Sequence, residues 1–141
     1  MDRIRPARIE DAAAIARLTT QLGYPIEADT TRRLLDYLIE DDDQEILVFD
    51  LEGVVGWAGV AVHHGLTGEP FAELAGLVVD ETHRSHGIGR KLLFAAEDWA
   101  RGRGFGKLRV RTNMIRADAH RFYERLGYGR VKEQRVYEKG L

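Results

Sequence analysis

The apolar positions first repeat at helical spacing. Ile15, Leu18 and Leu22 line one side of a segment that Asp11 is placed to cap and Gly23 to stop, which predicts a helix over about 11–22. After the loop at Tyr24-Pro25, Leu34, Leu35, Leu38 and Ile39 predict a second helix from about Thr30, running into the acidic run Glu40–Asp43. The pattern then changes period. Gln44–Asp50 and Val54–His63 are rich in Val, Ile, Leu, Phe and Trp and are joined by Leu51-Glu52-Gly53, which predicts a β-hairpin. Phe71–Asp80 predicts a further strand that ends in the apolar run Leu77-Val78-Val79. From Gly87, the positions Ile88, Leu92, Ala96 and Trp99 predict a helix to about Arg101, ended by Gly102 and Gly104.

Lys107–Asn113 alternates, with Leu108, Val110 and Thr112 on one face and Arg109 and Arg111 on the other, and predicts a strand. Ala117–Leu126 predicts a helix carrying Ala119, Phe122 and Leu126, and Tyr128–Lys139 a last strand or pair of strands. Arg3–Arg8 fits a short edge strand, because Pro6 lacks the N–H a central strand needs. The predicted order is β-α-α-β-β-β-α-β-α-β, an α/β or α+β domain spanning residues 1–141, with a mixed sheet covered by helices and its last strand–helix units parallel at one edge.

Composition narrows the chemistry. The 141 residues include no cysteine, which excludes disulfides, thiolate metal sites and cysteine nucleophiles. No apolar run approaches the roughly 20 residues of a membrane span, so a soluble, cytoplasmic protein with no membrane partner is expected. The net charge of −2 hides an asymmetry, −8 over residues 1–70 and +6 over residues 71–141. An anionic ligand is therefore expected on the second half. A pI near 6.2 argues against nucleic acid.

The densest signal is the run from Leu77 to Arg90: an apolar strand end, a polar loop, then Gly87 and Gly89 at a helix start. The first amides of a helix lack intrahelical acceptors and lie at its positive end, so such a start can cradle a pyrophosphate, with Arg84, Arg90 and Lys91 nearby. No Gly-Lys-Ser/Thr follows, so a Walker loop is excluded, and the glycines come too late for a dinucleotide fold. His83 and His86 lack helical spacing, and His63 and His64 point to opposite faces of a strand, so no metal is expected. Glu73 lies at even spacing from Leu77 and Val79, and a regular strand would point all three one way.

The segment Arg84-Ser85-His86-Gly87-Ile88-Gly89 resembles the Arg/Gln-x-x-Gly-x-Gly/Ala signature of GCN5-related N-acetyltransferases. Asn113 at the end of the next strand, and Ala119–Tyr128, resemble the downstream part of that family. Within it, the stretch Asn113–Tyr128 looks most like aminoalkylphosphonate N-acetyltransferases and other small-molecule amine acetylators. The resemblance implies a mixed, mostly antiparallel sheet flanked by helices, acetyl-CoA as co-substrate, direct attack of a small-molecule amine on the thioester, and a homodimer. It implies that backbone groups of Leu77, Val78 and Val79 pair with the pantetheine arm. Amides from Ser85, His86, Gly87, Ile88, Gly89 and Arg90 would hold the pyrophosphate, and Asn113 would touch the pantetheine end.

Tyr123 matches the family's proton donor to the departing thiolate, and Val79 N–H is a possible oxyanion donor. Glu73 and His120 are rival bases for the amine proton, while Leu108 stands where some relatives carry an acid. The acceptor is expected near Tyr24, Trp57 and Glu73, where the acidic first half would favour a cation and the phosphonate-like stretch a zwitterion. A non-catalytic acyl-CoA sensor and an acetyltransferase of peptide amino termini are the alternatives.

Overall fold

A computed structural model describes residues 3–112 and 117–141. Two compact units divide the chain, residues 1–111 and residues 112–141. The first is a five-stranded sheet in the order β1-β2-β3-β4-β5, with strands Ile4–Pro6, Gln44–Asp50, Val54–His63, Phe71–Val79 and Leu108–Val110. Three helices belong to it: α1 (Ala12–Leu22), α2 (Ala28–Ile39) and α3 (Ile88–Gly102). Neighbours β1 to β4 are antiparallel, and β5, reached through α3, runs parallel to β4.

The strand faces divide the core. Val48 and Val78 pack with Ile15, Leu18 and Leu35 of the first two helices, and Trp57 closes over them. On the other face, Gly56 looks at α3: a Cβ there would lie 3.1 Å from Leu92 Cδ1 and 3.5 Å from Ile88 Cγ2. Helix α3 buries Ile88, Leu92, Leu93, Ala96 and Ala100 as one apolar stripe. Gly23 adopts φ +110° and ends α1 as predicted.

Asp11 stands at the N-cap of α1, yet its carboxylate does not cap that helix. It accepts the Arg8 N–H at 2.8 Å and both Nη atoms of Arg5 at 2.8 and 2.9 Å. A cation within reach is a stronger partner than a helix amide. Those bonds hold the Asp11 carboxyl below its ordinary pKa, the Arg5 hydrogen bond first among the causes.

The feature that positions everything downstream is an extra residue in β4. Gly59 pairs with Gly76 while Val60 pairs with Leu74, which leaves Ala75 as a β-bulge. Residues paired across a sheet share a face. Glu73 lies opposite Ala61, and Leu77 lies opposite Ala58. Positions 58 and 61 of β3 are an odd number of residues apart, so they point oppositely. Glu73 therefore does not share a face with Leu77 and Val79, which corrects the expectation from even spacing. The bulge turns it to the Trp57 side of the sheet.

Residues 112–141 form the second unit, with one helix, α4 (Ala117–Arg125). The predicted strand over Tyr128–Lys139 is absent from the structure. Its apolar residues are too few and too scattered to bury a strand face: Val131, Val136 and Tyr137 are all exposed. The strand predicted at Lys107–Asn113 is shorter too, Leu108–Val110, with Asn113 outside the described residues.

Gly76 supplies the room the bulge requires, since a Cβ there would sit 2.6 Å from Trp57 Cη2 and 2.8 Å from Cζ3. Gly76→Ala should lower the unfolding free energy by about 1–3 kcal/mol, the range for an overpacked core. Urea titration followed by circular dichroism will measure it.

Candidate active site

Two edges of β4 behave differently. Among the described residues the β5 ladder reaches only Ala72, Glu73 and Leu74, so from the bulge onward β4 is paired there through β3 alone. The Asp80 N–H donates to Val55 O at 2.8 Å, which fixes the alternation of the ladder. Val78 then turns its amide and carbonyl toward β3, while those of Leu77 and Val79 face the open edge. Of the three backbones the resemblance nominated, this geometry presents two to an added strand.

Beyond the edge, the chain is fastened before it turns. The Asp80 carboxylate receives Arg17 Nη1 at 2.7 Å, Thr82 N–H at 3.2 Å and Thr82 Oγ1 at 3.1 Å. Arg17 also donates to Val54 O, and Gln21 Oε1 accepts the Glu81 N–H at 3.1 Å, so α1 anchors the loop twice. The Arg17 hydrogen bond, followed by the Thr82 amide, holds the Asp80 carboxyl down to about 2. Sequence reading missed this pair because an arginine and an aspartate 63 positions apart carry no local pattern.

The turn itself is left-handed at two places, Ser85 at φ +69° and Gly87 at φ +78°. A non-glycine residue there is uncommon and strained. Such turns make neighbouring N–H groups converge into an anion-binding concavity. Gly87 is the N-cap of α3 and offers no side chain to its amides. The first backbone bond back to it comes from Lys91 N–H at 3.1 Å, so the amides of Ile88, Gly89 and Arg90 remain available. A Cβ on Gly87 would meet nothing within 4 Å, which leaves open space where a phosphate would approach. Ser85 and His86 are exposed there as well. Arg84 turns its Nε back onto Val79 O at 3.3 Å, Arg90 lies over the Phe94 ring at 5.2 Å, and Lys91 lies 6.0 Å from the Phe49 ring.

Glu73 is buried at 6 % exposure and lies among basic groups. His63 Nε2 is 3.2 Å from its Oε1, and Arg111 Nη2 is 3.2 Å from its Oε2. The second contact is an ion pair without hydrogen-bond alignment: among the described residues, Oε2 is buried and accepts no hydrogen bond. Trp57 Nε1, on the same sheet face, is the other buried polar side-chain atom without a hydrogen-bond partner among the described residues. Tyr24 is exposed at the end of α1. In the second unit, Tyr123 packs edge-on against Phe122 and Tyr128, with centroids 5.2 and 5.8 Å away, and His120 lies one turn earlier on α4.

The open strand edge, the left-handed loop and the uncapped helix start each present backbone N–H groups to solvent. The profile of the Acetyltransferase (GNAT) family matches residues 10–128, and this chain belongs to that family. It is an N-acetyltransferase, and its acyl donor is acetyl-CoA. An uncharacterized N-acetyltransferase of Chlorobaculum tepidum is 31 % identical over 96 % of this chain and 81 % of its own length. An aminoglycoside N(6')-acetyltransferase of Stenotrophomonas maltophilia is 30 % identical over 89 % of this chain and 84 % of its own. An aminoalkylphosphonate N-acetyltransferase of Salmonella typhimurium shares 46 % identity, over 40 % of this chain and 36 % of its own.

Among solved structures, one described as a transcriptional regulator of Bacillus halodurans superposes with a TM-score of 0.86 at 26 % identity, covering 96 % of this chain and 98 % of the other. The aminoglycoside N-acetyltransferase AAC(6')-Iy, in complex with the bisubstrate analog CoA-S-monomethyl-acetylneamine, shares the fold. Its TM-score is 0.85 at 18 % identity over 98 % and 97 % of the two chains.

The Asp80 anchor makes a pH prediction. Its folded pKa lies below the ordinary 3.8, so the stabilisation is complete above that value and disappears as pH falls toward about 2. Urea midpoints measured from pH 5 to pH 2 should fall less steeply for Asp80→Asn than for the wild type.

Proposed function

We propose that the chain moves the acetyl group of acetyl-CoA to the primary amine of a small molecule by direct attack within a ternary complex. One observation carries the reading: the open edge of β4 at Leu77 and Val79 is followed, after the loop anchored at Asp80, by the left-handed turn and free helix amides at Ser85–Arg90. Pantetheine would add to that edge as a strand, and the amides from Ser85 to Arg90 would receive the pyrophosphate. Asn113 would touch the pantetheine or the cysteamine end, as the family likeness implies. The match to an aminoglycoside acetyltransferase over most of both chains supports an amine acceptor.

In the reaction, the amine nitrogen attacks the thioester carbonyl carbon, a C–N bond forms and the C–S bond breaks. An open-edge amide of β4, that of Leu77 or Val79, stabilises the developing oxyanion. Leu77 is the nearer of the two to Glu73 along the strand. Glu73 takes the amine proton through a water, and the phenol of Tyr123 gives its proton to the departing thiolate. His120 is the alternative base. Release of free CoA thiol across an amine panel tests the reading: turnover of small primary amines supports it, and tight acetyl-CoA binding with no turnover of any small amine contradicts it.

Two variants test the roles. Tyr123→Phe should lower kcat by about 100-fold or more, the scale of a general acid, with acetyl-CoA affinity unchanged. An equal loss of affinity would make the tyrosine structural. Gly87→Val should weaken acetyl-CoA binding about tenfold in calorimetry, since a β-branched residue resists positive φ and its side chain fills the phosphate approach. Unchanged affinity would remove the cradle from the account.

A further inference from the structure

The groups around Glu73 carry a charge pattern that the transfer reaction does not require. His63 and Phe71 stack with centroids 5.3 Å apart, and the Arg109 guanidinium lies 4.0 Å over the same Phe71 ring. Arg109 is opposite Glu73 in the parallel ladder, and Arg111 follows two residues later on the same side. Arg111 reaches the Glu73 carboxylate, whereas among the described residues no carboxylate forms an ion pair with Arg109. One glutamate thus faces two arginines, a surplus of one positive charge even with His63 neutral. The nearby acid, Asp43, is engaged elsewhere, 3.4 Å from His64 Nε2 and 3.8 Å from Arg103 Nη1.

A half-buried guanidinium held over an aromatic ring, with no carboxylate among the described residues in ion-pair contact with it, is a preorganised anion receptor. The Glu73 carboxylate on the same face, whose Oε2 has Arg111 Nη2 at 3.2 Å but accepts no aligned hydrogen bond among the described residues, is an acceptor for an ammonium or amine N–H. From this juxtaposition we infer that the acceptor is a zwitterion: its amine meets Glu73, and a carboxylate or phosphonate on the same small skeleton meets Arg109 and Arg111. The inference rests on the acetyl-transfer reading above and narrows its substrate class. It opposes the polycationic acceptor suggested by the acidic first half, because a second ammonium would lie against the arginines.

The test compares acceptors of matched size by CoA thiol release: β-alanine and 2-aminoethylphosphonate as the two anionic arms, β-alanine amide as the neutral control, and 1,3-diaminopropane as the dication. The better anionic arm should exceed the neutral amide in kcat/KM by about 10- to 100-fold, the span of one charge-assisted hydrogen bond. The dication should be the poorest. Arg109→Gln should bring the ratio of zwitterion to amide toward unity, chiefly through KM, and Arg109→Lys should retain part of it. A dication acetylated as well as the zwitterions overturns the inference, as does a ratio unmoved by Arg109→Gln or a matching loss of acetyl-CoA affinity in that variant. If Arg109→Gln does not fold, the wild-type panel decides alone. If no amine releases thiol although acetyl-CoA binds, the transfer reading fails. Calorimetry of 2-aminoethylphosphonate and 1,3-diaminopropane against the CoA complex then decides the inference by itself, with tighter binding of the diamine contradicting it.

Discussion

The one extra residue that β4 carries within its ladder to β3 governs the rest of this structure. With Ala75 unpaired, the side chains before it and after it exchange faces, so Glu73 points to the α1 side while Leu77 and Val79 point to α3. The same irregularity coincides with the end of the β5 ladder at Leu74, where the strand begins to offer its backbone sideways. A bulge bends a strand and ends its pairing locally. One insertion therefore separates a segment that holds a carboxylate from a segment that holds a ligand backbone. Trp57 and Gly76 keep the arrangement in place, the indole occupying the space a side chain at position 76 would need.

From there to the helix, rigidity is supplied by charge. Asp80 ties the loop to Arg17 of α1 and to Thr82 within the loop, and Asp80 N–H continues the β3 ladder for one more bond. The left-handed backbone at Ser85 and Gly87 is held by this fixed base on one side and by α3 on the other. Preorganised amides lose little freedom when an anion arrives, which is the physical advantage of main-chain recognition over flexible side chains. It also frees Arg84, Arg90 and Lys91 from defining the cradle: in this structure they rest against Val79 O, Phe94 and Phe49.

Much of the architecture was legible because its periods are clean. The stripe Ile15, Leu18, Leu22 and the hairpin around Gly53 needed no tertiary information, and the glycine pair marked a helix start whose N-cap is Gly87. The orientation of Glu73 was not legible by simple alternation, although β4 holds the clue. Its buried positions Ala72 and Leu74 are even, while Leu77 and Val79, on that same face beyond the bulge, are odd. A change of parity inside one apolar run is the trace a bulge leaves. The partners of Glu73 escaped for a different reason: His63 lies on β3 and Arg111 just past the end of β5, and only the sheet order brings them to one carboxylate. At the carboxyl-terminal end, Tyr128–Lys139 alternates enough to suggest a strand but has too little apolar surface to hold one.

Leu77 and Val79 turn their amides away from β3 toward the open edge, while Val78, between them, is committed to β3. Residue-resolved amide hydrogen exchange, with and without CoA, tests this most directly. The account predicts fast exchange at Leu77 and Val79 in the free protein, strong protection of both when CoA binds, and protection of Val78 throughout. Exchange at Leu77 and Val79 that stays fast in the CoA-bound protein would contradict it.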